Sequence, residues 1–117
     1  MDDEMRDLCT TLEQLTGALL TAVQASDVIT FDRLARGRDP YVAAFVARWP
    51  TLSEAEQAEL EPSILLVLSL DSTIIAAGQD WMRTTRQRLR QMQQGKTTMK
   101  GYRAPFTALH DSIRQRH

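Results

Sequence analysis

Apolar side chains recur every three or four residues from the start of the chain. Over residues 3–24 they form one stripe, made of Met5, Leu8, Leu12, Leu15, Leu19 and Val23. This spacing places side chains on a single face of an α-helix. The sequence therefore predicts a first amphipathic helix over residues 3–24.

A second stripe begins after Ser26 and Asp27, two residue types that cap helix N-termini. It runs to Trp49, but Gly37–Pro40 lies in its middle. Proline removes one helix hydrogen bond and clashes with the preceding turn. The pattern therefore predicts either two short helices or one kinked helix in this segment.

The third helical region begins near Thr51 and Glu54, which have the spacing of a capping box. We expect a short acidic helix over Glu54–Leu60. Pro62 suits the first position of a new, long helix that continues to about Met99.

A last amphipathic piece follows Pro105, and its apolar stripe consists of Phe106, Leu109 and Ile113. The fold class predicted is all-α. We expect one domain over residues 1–117, an antiparallel bundle of three to four main helices, one of them long, with a short C-terminal tail helix over 105–117. Its predicted core comprises Leu8, Leu12, Leu15, Leu19, Phe31, Leu34, Phe45, Leu68 and Ile75.

Composition narrows the class of protein. The 117 residues contain 14 basic and 15 acidic side chains, one cysteine, five glycines and four prolines. So few turn residues disfavour an all-β domain, and one cysteine excludes an internal disulfide. The N-terminus lacks the pattern of a signal peptide, and the longest apolar run, Ile64–Leu68, is far shorter than a membrane span. We expect a cytoplasmic protein without membrane contact.

Charge is distributed unevenly. Residues 1–80 contain 14 acidic and five basic side chains, whereas residues 81–103 contain seven basic side chains and no acidic one. This basic segment either lies over the acidic half, stays solvated or docks onto an acidic partner. Nucleic acid is the weaker alternative, because the total charge is −1 and no recognition motif is present.

The residue pattern offers no catalytic constellation, and we expect neither an enzyme nor a cofactor. The two histidines, His110 and His117, have no Glu-x-x-His partner that would indicate a metal site. Cys9 lies beside Leu8 and indicates a half-buried small side chain. Asp71, set among apolar neighbours, is either exposed, bonded to a neighbouring helix end, or a catalytic carboxylate without a visible partner.

The first half of the long helix is apolar on nearly all sides, so three short helices must cover it or one face remains for a second chain. The methionines add adaptable apolar surface. The expected partner-binding residues are Val67, Leu70, Ile74, Trp81, Met82 and Leu89. A homodimer is possible on the same grounds.

Several of these elements together resemble the FliT-type flagellar export chaperones, to which the FlgN class is related. The resemblance lies first in the leading amphipathic helix, in Ser26-Asp27 with Phe31-Asp32, and in the Leu70-Asp71-x-x-Ile74 element. Near the C-terminal end of the long helix it lies in Gln94-Gly95-Lys96 and Met99-Lys100-Gly101-Tyr102.

The resemblance implies a small helical chaperone that binds the C-terminal part of the filament-cap protein and engages the flagellar export apparatus. In some bacteria such proteins also bind a flagellar transcription regulator. Their C-terminal helix can fold over the partner-binding surface, a role that would fall here on Phe106, Leu109 and Ile113. The competing reading is a helical adaptor unrelated to flagella, with nucleic-acid binding through residues 83–103 as its less favoured form.

Overall fold

The computed structural model describes residues 3–86 and contains three α-helices in that range. Helix α1 spans Asp3–Gln24, α2 spans Val28–Arg48 and α3 spans Glu54–Arg86, with a 3-10 turn at Trp49–Thr51 before α3. The all-α prediction is therefore confirmed. The expected continuation of the long helix to Met99 and the tail helix over 105–117 lie outside the described residues.

Helix α1 packs against both other helices. Glu4 near its start pairs with Arg48 at the end of α2, at 2.9 Å, so α1 and α2 run in opposite directions. Arg6 pairs with Glu59 of α3 at 2.9 Å, while Leu19 shares an apolar cluster with Ile74. These contacts align α1 and α3 in the same direction.

The turn between α1 and α2 is short because both helix ends are capped locally. The amide of Ser26 donates to the Val23 carbonyl and that of Asp27 to the Ala22 carbonyl, the two bonds of a Schellman motif. Ser26 takes the left-handed backbone conformation, with φ 56°. The Asp27 carboxylate then accepts from the Thr30 amide at 3.1 Å, as predicted for an N-cap. Hydrogen bonds from the Thr30 side chain and, secondarily, from the Thr30 amide lower the pKa of the Asp27 carboxyl.

Of the two alternatives predicted for the second segment, the structure has the single helix, because α2 continues through Pro40. The predicted start of a new helix at Pro62 is wrong, because α3 continues through that residue. Both prolines lie on exposed positions. Buried residues flank each of them on one face, Arg38 and Val42 in α2 and Leu60 and Ile64 in α3. Packing of these neighbours offsets the missing hydrogen bond and keeps each helix in one piece.

The predicted capping box at Thr51 and Glu54 is also wrong by two residues. Thr51 belongs to the 3-10 turn, where its hydroxyl donates to the Arg48 carbonyl at 2.6 Å. The box is formed instead by Ser53 and Glu56. The Glu56 amide donates to Ser53 Oγ at 3.2 Å, and the Ser53 amide donates to Glu56 Oε1 at 3.0 Å.

Within the described residues, the apolar core consists of two clusters. The larger one joins the start of α1, the end of α2 and the first half of α3; its buried members are Met5, Cys9, Leu12, Val42, Phe45, Trp49, Leu60, Ile64 and Val67. The smaller one lies at the α1–α2 turn; its buried members are Leu19, Ala22, Val23, Phe31 and Ile74.

Four predicted core residues, Leu12, Leu19, Phe31 and Phe45, are confirmed as buried. Four others, Leu8, Leu34, Leu68 and Ile75, are half-buried and pack against the clusters. Leu15 is only half-buried, because the neighbouring Thr16 occupies the inward position of α1.

Candidate functional site

A buried polar layer separates the two apolar clusters. Arg38 of α2 is 1% exposed, and its Nη1 donates to Thr16 Oγ1 of α1 at 3.0 Å and to Asp71 Oδ1 of α3 at 3.1 Å. One side chain from each helix therefore meets at this level of the core. Charges are tolerated inside a protein only when they are paired and hydrogen-bonded, as these are.

The polar layer corrects the reading of Asp71. The carboxylate is not exposed but forms a buried ion pair with Arg38. Sequence reasoning missed Arg38 because it was assigned to the predicted break at Gly37–Pro40. It missed Thr16 because the leucines on either side of this residue already formed an apolar stripe, which was taken as the buried face of α1.

The outward face of α3 is unusual for a helix surface. From Pro62 to Gln79, about 26 Å of helix at 1.5 Å per residue, the one charged residue is the buried Asp71. The exposed positions of this stretch are Pro62, Leu65, Leu66, Ser69, Ser72, Thr73, Ala76 and Gln79. We call this set the outer α3 face.

Two leucines dominate the outer α3 face. Leu65 is 46% exposed and Leu66 is 48% exposed, although leucine is among the residues most often buried in proteins. By contrast, the exposed surface of α2 carries Arg33, Arg36 and Asp39. The outer α3 face is therefore a helix surface without an exposed charge from Pro62 to Gln79.

The described residues among those predicted to bind a partner lie on or beside the inward side of α3. Val67 belongs to the larger apolar cluster and Ile74 to the smaller one, and both are buried. Leu70, Trp81 and Met82 are half-buried on α3. Leu89 and the tail residues Phe106, Leu109 and Ile113 lie outside the described residues.

Leu65 and Leu66 were not among the predicted partner-binding residues. The sequence did indicate such a surface, because a helix with apolar residues on every side must pack against other elements on every side or leave an apolar face exposed. It did not indicate which side would be left open, because that depends on where α1 and α2 pack.

The start of the basic segment is visible at the end of α3. Arg83 Nη1 lies 3.2 Å from Asp80 Oδ1, and both side chains are largely exposed. Exposed pairs one turn apart contribute little to stability. The remainder of the segment, beyond Arg86, lies outside the described residues.

Cys9 is buried in the larger apolar cluster, against the earlier expectation of a half-buried thiol. Burial, and secondarily the Glu13 carboxylate, raises the pKa of its thiol to about 11. A small cavity lies beside it, lined by Leu12, Phe45, Ser63, Ile64 and Val67. Within residues 3–86, no group of three or more His, Cys, Asp or Glu side chains is placed to hold a metal ion.

By length and composition alone, α3 is apolar enough to cross a membrane. The core helix of a soluble protein meets the same criterion, and the inward face of α3 packs on α1. Its buried carboxylate, Asp71, is held by an arginine of α2.

Comparison with known proteins assigns the chain to a family. Neither the comparison with curated proteins nor that with solved structures gives a match. The family model described as "Flagellar protein FliT" matches residues 6–104, which include all of α2 and α3 and nearly all of α1. The match stops just before Pro105 and so excludes the predicted tail helix. Since it covers most of the chain, this protein belongs to the FliT family of flagellar export chaperones.

Proposed function

We propose that this protein is a cytoplasmic chaperone that binds the C-terminal helical region of the filament-cap protein and keeps it competent for export. The observation that carries the proposal is the family match over residues 6–104. The family match does not itself identify the partner. We infer the filament-cap protein as the partner from the resemblance of the sequence elements described above.

The outer α3 face is the surface that we assign to the partner. An amphipathic helix binds by laying its apolar side chains against an apolar surface. Leu65 and Leu66 are half-exposed, and no charge interrupts the face between Pro62 and Gln79. Burial of both leucines by a partner helix would remove apolar area from water at about 25 cal/mol per Å².

The half-buried Leu70 and Trp81 lie beside this surface on α3, whereas Met82 packs against the smaller apolar cluster. Val67 and Ile74, also expected at the interface from sequence, support the outer α3 face from beneath as core residues. We therefore assign direct contact to Leu65 and Leu66 and a supporting role to Val67 and Ile74.

The tail remains part of the proposal. Phe106, Leu109 and Ile113 form a narrow stripe on a piece too short to be a stable helix alone in water. If this piece docks on the outer α3 face, it competes with the partner and lowers the apparent affinity. A chain ending at Ala104 would then bind the cap-protein segment more tightly than the full chain.

The proposal is tested by export in the source cell. Deleting the gene should reduce the filament-cap protein in the culture medium, measured by immunoblot against its level inside the cell. Wild-type protein should restore export, and so should Ile29→Lys/Tyr41→Lys, which alters two exposed apolar residues of α2.

The decisive variant is Leu65→Lys/Leu66→Lys, which places two charges on the outer α3 face. It should accumulate to the wild-type level and fail to restore export. Undiminished export of the cap protein by the deletion strain would contradict the proposed function. Full rescue by the α3 variant would contradict the assigned surface.

A further inference from the structure

We infer that the buried polar layer of Thr16, Arg38 and Asp71 divides the core into two separately opening halves, and that the half at the α1–α2 turn opens while the other stays folded. This inference concerns the conformational behaviour of the chain and does not depend on the identity of its partner.

The first observation is the position of the layer. Thr16 lies between Leu12 and Leu19, which belong to different apolar clusters. Arg38 lies between Phe31 and Val42, and Asp71 between Val67 and Ile74, with the same division. The polar layer therefore interrupts the apolar core on all three helices at one level.

The second observation is the difference between the clusters. Among residues 3–86, the larger one buries nine apolar residues, including Phe45 and Trp49, whose rings stack with centroids 5.6 Å apart. In the same range the smaller one buries five, of which Phe31 is aromatic. Since apolar burial is the main favourable term in folding, the smaller cluster needs less free energy to open.

The third step is electrostatic. Arg38 and Asp71 lose most of their hydration in the closed core. When the turn half opens, both charges regain water, which offsets part of the apolar burial that is lost. Apolar side chains in place of this layer would gain no favourable hydration when they are exposed. The two clusters would then open together.

Chain connectivity alone predicts the opposite order. The α1–α2 turn ties two helix ends together through only three residues, Ala25 to Asp27. So short a link restricts the separation of α1 and α2 at the smaller cluster, which would make the larger cluster the less protected half. Opening of the turn half would also make Leu19, Phe31 and Ile74 accessible, which the closed arrangement prevents.

The inference is tested by native-state amide hydrogen exchange of the full chain, read by NMR under conditions in which exchange reports the opening equilibrium. Amides of residues 19–23, 31–35 and 74–78 should have protection factors at least tenfold lower than those of 9–12, 42–48 and 64–67. Their exchange should also depend less steeply on added urea, because a partial opening exposes less surface.

The matched variant is Thr16→Val/Arg38→Met/Asp71→Leu, which replaces the layer with apolar side chains of similar size. In it the two groups of amides should agree within threefold. Equal protection and equal urea dependence in the wild type would overturn the inference, and so would a tenfold difference that survives in the variant. If the variant does not fold, the urea dependence of the wild type decides between the two outcomes.

Discussion

Arg38 Nη1 lies 3.1 Å from Asp71 Oδ1, so an ion pair joins α2 to α3 inside the core. Breaking a buried pair leaves one charge without its partner in a medium that solvates it poorly. We expect Arg38→Ala and Asp71→Ala each to lower the free energy of unfolding by about 3–5 kcal/mol. The double variant should lose less than the sum of the two.

The matched control for this pair is the exposed ion pair of Arg36 and Asp32, one helical turn apart at 3.0 Å. Arg36→Ala should change stability by no more than about 0.5 kcal/mol, because water screens this pair. Urea unfolding followed by circular dichroism measures all four variants. Equal losses for Arg38→Ala and Arg36→Ala would show that the buried pair has no special structural role.

The start of α3 depends on Ser53 rather than on Thr51. Ser53→Ala removes the side-chain acceptor for the Glu56 amide and should cost about 1 kcal/mol of stability. Glu54→Ala leaves both capping bonds in place and should cost at most a few tenths of a kcal/mol through the helix dipole. Thermal or urea unfolding measures both losses. A larger loss for Glu54→Ala than for Ser53→Ala would indicate that the cap lies at the position expected from sequence.

Much of the fold follows from the spacing of apolar residues, and the errors have identifiable physical causes. The bounds of α1 and the Asp27 cap are local properties, and both were predicted. The break expected at Pro62 did not occur, and of the two alternatives at Pro40 the single helix formed. Proline disfavours a helix interior by an amount that tertiary packing on the opposite face can exceed, and a single sequence does not show that packing.

The polar layer could have been found from the sequence with one further step. Thr16, Arg38 and Asp71 each lie seven residues from a buried apolar residue on their own helix: Cys9, Phe31 and Ile64. A polar residue at a heptad position of each helix indicates one shared level in a bundle. The outer α3 face could not be found in this way, because its exposure depends on the placement of the other helices.

Ser26 is the residue to change for added stability. Its φ of 56° lies in the left-handed region, which costs a non-glycine residue about 1 kcal/mol. Ser26→Gly should therefore raise the free energy of unfolding by about 0.5–1 kcal/mol. Ala25→Gly, one residue earlier, lacks this conformation and should be neutral or destabilising. A loss of stability in Ser26→Gly would contradict the Schellman geometry of the turn.

Cys9 provides a pH test of core burial. Its thiol has a pKa of about 11 in the folded protein, against an ordinary value of 9.0. The unfolded chain therefore releases this proton first, and stability falls as pH rises from 9 to 11, by about 2 kcal/mol. Urea unfolding across this range should show that decline, and Cys9→Ala should lack the part due to the thiol.

The same burial predicts low reactivity. The native protein should react with a thiol reagent at pH 8 far more slowly than the urea-unfolded chain, since the thiolate is the nucleophile and the sulfur is covered. Rapid labelling of the native chain, at the rate of a free thiol, would contradict the packing of Cys9 in the larger apolar cluster.

The most direct measurement is calorimetric titration of the C-terminal segment of the filament-cap protein from the same cell into this protein. We expect saturable binding to the wild type and an unchanged Kd for Ile29→Lys/Tyr41→Lys. Leu65→Lys/Leu66→Lys should weaken binding at least tenfold, about 1.4 kcal/mol, with its helical circular dichroism intact. No detectable binding by the folded wild type at about 100 µM, roughly −5.5 kcal/mol, would contradict the account.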